Sequence, residues 1–190
     1  MSALTTKKEH TNFNIDPTQF TMWIFLVSVV MLFAAFTSGY IVRKAEGEWV
    51  NFELPNVFAT TCFVMLATSA TMVLSQWAQK KGNKILMQLG LLLSLIAGSS
   101  FIFLQLKGWG VLMDQGIYLV GNPSGSFLYV ISGVHAVHFS VGILVIFVAL
   151  LRSLLLNSSE IKTQKIPAIA TYWHFVGGLW IYLYLFLTNA

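Results

Sequence analysis

Residues 127–156 read FLYVISGVHAVHFSVGILVIFVALLRSLLL. The run is apolar nearly throughout, and its charged residue, Arg152, stands close to the C-terminal edge. A helix crosses ~30 Å of hydrocarbon in about 20 residues, so this stretch predicts a transmembrane helix. Segments 20–42, 54–78, 85–106 and 166–187 pass the same test. The chain therefore predicts an all-α integral membrane bundle of five transmembrane helices. It forms a single domain over 20–190, preceded by a polar segment, 1–19. The breaks at 43–53, 79–84, 107–126 and 157–165 collect charges and turn-forming residues, and Pro55 and Pro167 sit near helix starts, where a missing N–H does no harm.

Composition agrees with that reading. Of 190 residues, 56% are hydrophobic and 9% charged, which excludes a water-soluble globule. Cys62 is the single cysteine and lies in an apolar run, so it reads as a small buried hydrophobe, with no intrachain disulfide open to it. The net charge of +4 comes from Lys and Arg scattered in ones, twos and threes, with no basic stripe of the kind that binds nucleic acid. The first apolar stretch follows the polar segment and has no small-residue cleavage site ahead of soluble sequence, so it reads as a retained span. No internal repeat is visible, which weighs against transporter folds built from duplicated halves.

Basic residues in short loops mark the cytoplasmic side. Lys7, Lys8, Lys80, Lys81, Lys84, Arg152, Lys162 and Lys165 fall on one side, against Arg43, Lys44 and Lys107 on the other. This predicts a cytoplasmic N-terminus, an external C-terminus, and an external third loop rich in glycine.

The acids Glu9, Asp16, Glu46, Glu48, Glu53, Asp114 and Glu160 all lie outside the apolar cores, as does every Lys and Arg. Proton relays across a membrane usually need titratable groups within it, so an autonomous ion pump is not expected. His135 and His138 on the fourth span and His174 on the fifth are the ionisable residues left. Residues three apart on a helix are separated by about 60°, so His135 and His138 share a face and cannot clasp a haem from opposite sides. A haem held by His174 and one of the pair, or a metal held by all three, is geometrically open, but no carboxylate stands near to support it. The alternative is three polar histidines hydrogen-bonded between helices. For His135 or His138 the uncharged polar partners expected within reach are Thr60, Gln76 and Gln105. Ser132, Ala136 and Ser140, and Ala35 with Gly39, recur every four residues and predict close helix contacts, inside the bundle or with a partner. The tryptophans stand mostly near span ends and read as an interfacial belt.

Several of these residues fall into motifs. Residues 132–142, SGVHAVHFSVG, resemble the Gly-x-His-x-x-His-x-x-x-Gly signature of subunit III of haem-copper oxidases. Residues 172–180, YWHFVGGLW, are similar to that family's closing Tyr/Phe-Trp-His-Phe-x-Asp-x-x-Trp motif. Phe52-Glu53-Leu54-Pro55 resembles the quinol-oxidase branch at the start of the second span, and residues 22–28, MWIFLVS, resemble the first shared helix of the five-helix form. The motif residues are Gln105, His135, His138, Gly142, Trp173, His174 and Trp180.

This resemblance implies a non-catalytic accessory subunit of a respiratory terminal oxidase, multi-pass in the plasma (inner) membrane of a bacterium. It would stabilise catalytic subunit I and offer lipid-binding and assembly surfaces. Haem and copper are then expected in partner subunits and none in this chain, with phospholipid bound. The expected partners are subunit I, the other oxidase subunits and membrane lipids, with a larger respiratory supercomplex as the widest assembly. The family carries acids where this chain has Val29, a position near Thr60, the Gln105 to Gly108 segment, and Gly177. Their loss argues against a proton-feeding role and favours a scaffold. Two other readings are a small membrane haem or metal protein using His135, His138 and His174, and the accessory subunit of a nitric oxide reductase.

Overall fold

In the computed structural model, which describes residues 17–155 and 165–189, five helices follow one another: α1 (Pro17–Ala45), α2 (Asn56–Lys80), α3 (Lys84–Asp114), α4 (Pro123–Leu155) and α5 (Ile166–Asn189). Among the described residues there is no strand, and all five helices are long and apolar enough to cross a membrane. Helix is the expected solution in lipid, because it satisfies every interior backbone group within the segment. The polar segment before residue 17 and the basic stretch containing Lys162 lie outside the described residues.

α2, α3, α4 and α5 close a ring in which α2 packs on α3 and α5, α3 on α4, and α4 on α5; α1 lies outside it, against α4 and α5. The α2–α3 seam is the tightest. Its turn is residues 81–83, where Gly82 takes a positive φ of 73° and the Asn83 side chain caps α3 by accepting from the Leu86 N–H. Higher up, a Cβ built on Gly90 would sit 2.8 Å from the Ser75 backbone nitrogen, so the two helices touch main chain to main chain. Ser75 donates to the Met87 carbonyl at 3.1 Å, and Thr71 and Ser94 join hydroxyls at 2.8 Å. Membrane helices gain little from hydrophobicity against each other, so such contacts and hydrogen bonds carry the association.

The third span is longer than the expected 85–106. α3 runs on to Asp114, and the connection expected over 107–126 shrinks to 115–122. Lys107 is therefore a helical residue, its ammonium 4.6 Å over the Phe103 ring, rather than a loop residue. Tertiary contacts explain the extension: Gly108 admits Phe58, Leu112 is buried, and the Trp109 indole N–H donates to Ser132 Oγ at 3.1 Å. α1 and α4 likewise begin a few residues before their apolar runs do. Across the same end of the bundle, Asn122 links two loops, donating from Nδ2 to the Glu48 carbonyl and accepting at Oδ1 from Ser124.

Two expectations about residue placement change. Trp173 and Trp180, assigned to the interfacial belt, are core residues at 1% exposure, whereas Trp23 and Trp77 do face outward. Of the small residues spaced by four, Ser132 is buried and Ala136 partly so, while Ser140 and Ala35 are exposed and Gly39 faces the Phe127 ring at 3.5 Å. Close approaches inside the bundle are made instead by Gly90, Gly98, Gly108 and Gly142; a Cβ on Gly98 or Gly142 would meet Trp173 at 2.9 or 3.2 Å.

Candidate functional site

The residues singled out from the sequence converge on the centre of the four-helix ring. Period-3.6 spacing places Thr61 of α2, Phe101 of α3, His135 of α4 and Trp180 of α5 on their inward faces. His135 is 0% exposed. Its ring stacks on Trp180 with centroids 4.9 Å apart and planes 30° from parallel. Phe101 meets it edge-on at 5.9 Å and also contacts Trp180 and Phe139, at 5.3 and 4.7 Å. The Trp180 N–H donates to Thr61 Oγ1 at 2.8 Å, and that hydroxyl donates onward to the Phe58 carbonyl at 2.6 Å. α1 reaches the same imidazole through Phe33, whose centroid lies 6.3 Å away. All five helices thus contribute a side chain to one cluster around His135 and Trp180, and the two family-like segments, 132–142 and 172–180, meet there.

The hydrogen bonds expected of the fourth-span histidines are made differently. Neither ring bonds Thr60, Gln76 or Gln105. Thr60 is exposed and donates to its own helix, at the Asn56 carbonyl. His138 Nδ1 bonds the Val134 carbonyl one turn back at 2.8 Å. Among the described residues, the buried nitrogens of His135 and both amide atoms of Gln105 have no hydrogen-bond partner, nor has the Trp173 indole N–H. Aromatic contact, with the ring quadrupole favouring edge-on approach, is what holds the His135 imidazole.

The three histidines do not come together. His174 faces α2, with Nδ1 2.6 Å from Ser69 Oγ; His135 is enclosed by aromatic rings; and His138 stands beside Phe33 at 5.9 Å. Among the described residues no three of His, Cys, Asp or Glu are grouped so as to hold a metal ion. The described acids, Glu46, Glu48, Glu53 and Asp114, lie in the α1–α2 loop or at the end of α3. Chemically, the centre offers aromatic packing and neutral hydrogen bonding.

The sequence did not single out Thr61, Ser69, Phe101 or Phe139. Phe101 lies in no motif, Phe139 falls at an unspecified position of the 132–142 signature, and a hydroxyl on an apolar span often bonds its own helix; only the neighbouring helices show that Thr61 also receives an indole N–H.

Residues 1–189 match the protein family described as cytochrome c oxidase subunit III. The probable quinol oxidase subunit 3 of Staphylococcus saprophyticus is 23% identical to this chain over 168 residues, covering 85% of it and 83% of the relative. That of Staphylococcus haemolyticus is 25% identical over 169 residues, with coverages of 85% and 83%. The cytochrome c oxidase subunit 3 of Bacillus sp. (strain PS3) is 25% identical over 167 residues, with coverages of 85% and 80%.

Proposed function

Because the chain belongs to the cytochrome c oxidase subunit III family, we propose that its five-helix bundle serves as a packing partner that stabilises the oxidase's catalytic subunit. It is an accessory subunit of a respiratory haem-copper oxidase and a multi-pass protein of a bacterial plasma membrane. On this reading the reduction of oxygen belongs to haem and copper in the catalytic subunit. This chain binds neither, and it holds phospholipid where the subunits meet.

The observation that carries the packing role is the enclosure of His135, at 0% exposure among Phe101, Phe139 and Trp180. An imidazole shut in by aromatic rings positions helices. Val29 and Gly177, both buried, add no titratable group to the interior, which favours a scaffold over a proton-feeding subunit.

Purification of the intact complex in a mild detergent tests the assignment. The chain is expected to co-purify with a subunit carrying haem and copper that reduces oxygen, and by itself to show no Soret band. A Soret band in proportion to the isolated chain, lost on His174→Ala, would overturn the reading in favour of a haem protein. Co-purification with a nitric-oxide-reducing subunit would move it to that branch.

The orientation follows from the basic end of the bundle. Lys80, Lys81 and Lys84 at the α2–α3 turn, Arg152 near the end of α4 and Lys165 at the start of α5 belong to the cytoplasmic face. A membrane-impermeant thiol reagent added outside cells should therefore label a cysteine placed at Asn51 and not one placed at Lys81. The opposite pattern would invert the topology.

A further inference from the structure

His138 sits next to Phe139, the midpoint of α4, well inside an apolar run long enough to cross a membrane. Its Nδ1 lies 2.8 Å from the Val134 carbonyl oxygen. A carbonyl only accepts, so Nδ1 carries a proton, and in the neutral imidazole Nε2 is left with a bare lone pair. No described residue donates to Nε2, and the side chain is partly exposed on the outside of the bundle. Ser28, Ser100 and Ser140, exposed on the apolar spans, each close a hydrogen bond on a carbonyl of their own helix, and the exposed Ser99 hydroxyl, as a donor, has the same recourse. His138 is different, because an acceptor cannot be satisfied by a carbonyl.

Acyl chains have no donor, and an unsatisfied polar atom in hydrocarbon is costly. One turn further along the same face of α4, Val141 and Val145 open into an apolar groove of about 610 Å³, which Phe25 of α1 and Tyr172 of α5 also line. Tyr172 donates its hydroxyl to the His138 carbonyl at 2.7 Å, which fixes α5 beside this point. From the fixed tautomer, the depth and the adjoining groove we infer that this face seats a transmembrane helix of a partner oxidase subunit, and that a donor side chain on that helix (a hydroxyl, amide or indole N–H) bonds His138 Nε2. The inference rests on the accessory-subunit reading and adds to it the contact face and the chemistry of the contact.

Its test uses the intact oxidase. His138→Phe keeps the ring and removes the acceptor; His138→Gln returns an acceptor at nearly the same reach. The amount of this chain retained per catalytic subunit through mild-detergent purification should fall about three- to tenfold in His138→Phe and stay near wild type in His138→Gln. The isolated chains should melt alike, since the His138 ring hydrogen-bonds only its own helix and the bond from Tyr172 goes to the main-chain carbonyl, which either substitution keeps. Undiminished retention of His138→Phe would overturn the proposal, as would an equal loss in the melting of the isolated variant, which would make the role internal. Failure of the wild-type chain to co-purify with any haem- and copper-bearing subunit would overturn the accessory-subunit reading itself, and the contact with it.

Discussion

Trp180→Ala should destabilise the isolated bundle by about 3–5 kcal/mol, the range for emptying a large aromatic site in a close-packed core. The indole is fully enclosed, stacks on His135, meets Phe101 at 5.3 Å and donates to Thr61. Its removal leaves a cavity at the point where four helices converge, and lipid cannot flow in to fill it. It also strips the closer of two aromatic stacks from an imidazole whose nitrogens have no partner among the described residues. Trp180→Phe should restore most of the packing and lose chiefly the Thr61 bond, at about 1 kcal/mol. Denaturant titration of the purified chain in one detergent, followed by helix content, measures both. Equal stabilities for wild type and Trp180→Ala would refute the placement of this ring at the core.

The second large effect is expected from a single methyl group. Gly90→Ala should cost about 1–3 kcal/mol, because its Cβ would lie 2.8 Å from the backbone nitrogen and 2.9 Å from the Cα of Ser75. A side chain could swing aside; main chain cannot. The three-residue turn at 81–83 ties the two helices within two turns of the contact, so they cannot splay freely to make room. Any relaxation must stretch the Ser75 bond to the Met87 carbonyl as well. Gly178→Ala is the matched control: no atom lies within 4 Å of its built Cβ, and alanine favours helix, so stability should hold or rise slightly. Similar losses for both substitutions would show that glycine at these sites matters for backbone freedom and not for helix approach.

These two effects differ in how far the sequence foretold them. Trp180 belongs to a segment, 172–180, whose resemblance to a family motif marked it out, yet its position near an apolar span end also fitted an interfacial belt. The structure resolves that tension by showing Trp180 at mid-bundle. Gly90 was not among the small residues picked out by spacing, although Ser94 and Gly98 follow it at intervals of four; its importance comes from Ser75, a residue on another helix. The same holds for α3 as a whole: its last eight residues contain a lysine and two glycines, which read as a loop, and they are helical because Phe58, Tyr129 and Ser132 give that face something to pack against.

By itself the sequence determined that this is a membrane protein of five helices, since length and apolar content answer to the thickness and dryness of the bilayer and to nothing else in the fold. It also placed the family, through His135, His138, His174 and the tryptophans around them, because those residues recur at fixed spacings along the chain. What only the tertiary structure decided is which groups meet. It closed α2 to α5 into a ring, put His135 against Trp180 instead of Gln105, and turned the His138 ring onto a carbonyl of its own helix. Such choices depend on the rotation of each helix about its axis and on contacts of a few ångströms between segments up to 119 residues apart, as for Thr61 and Trp180. Periodicity fixes a helix's apolar stripe only loosely when nearly every residue on it is apolar, so the orientation had to come from packing.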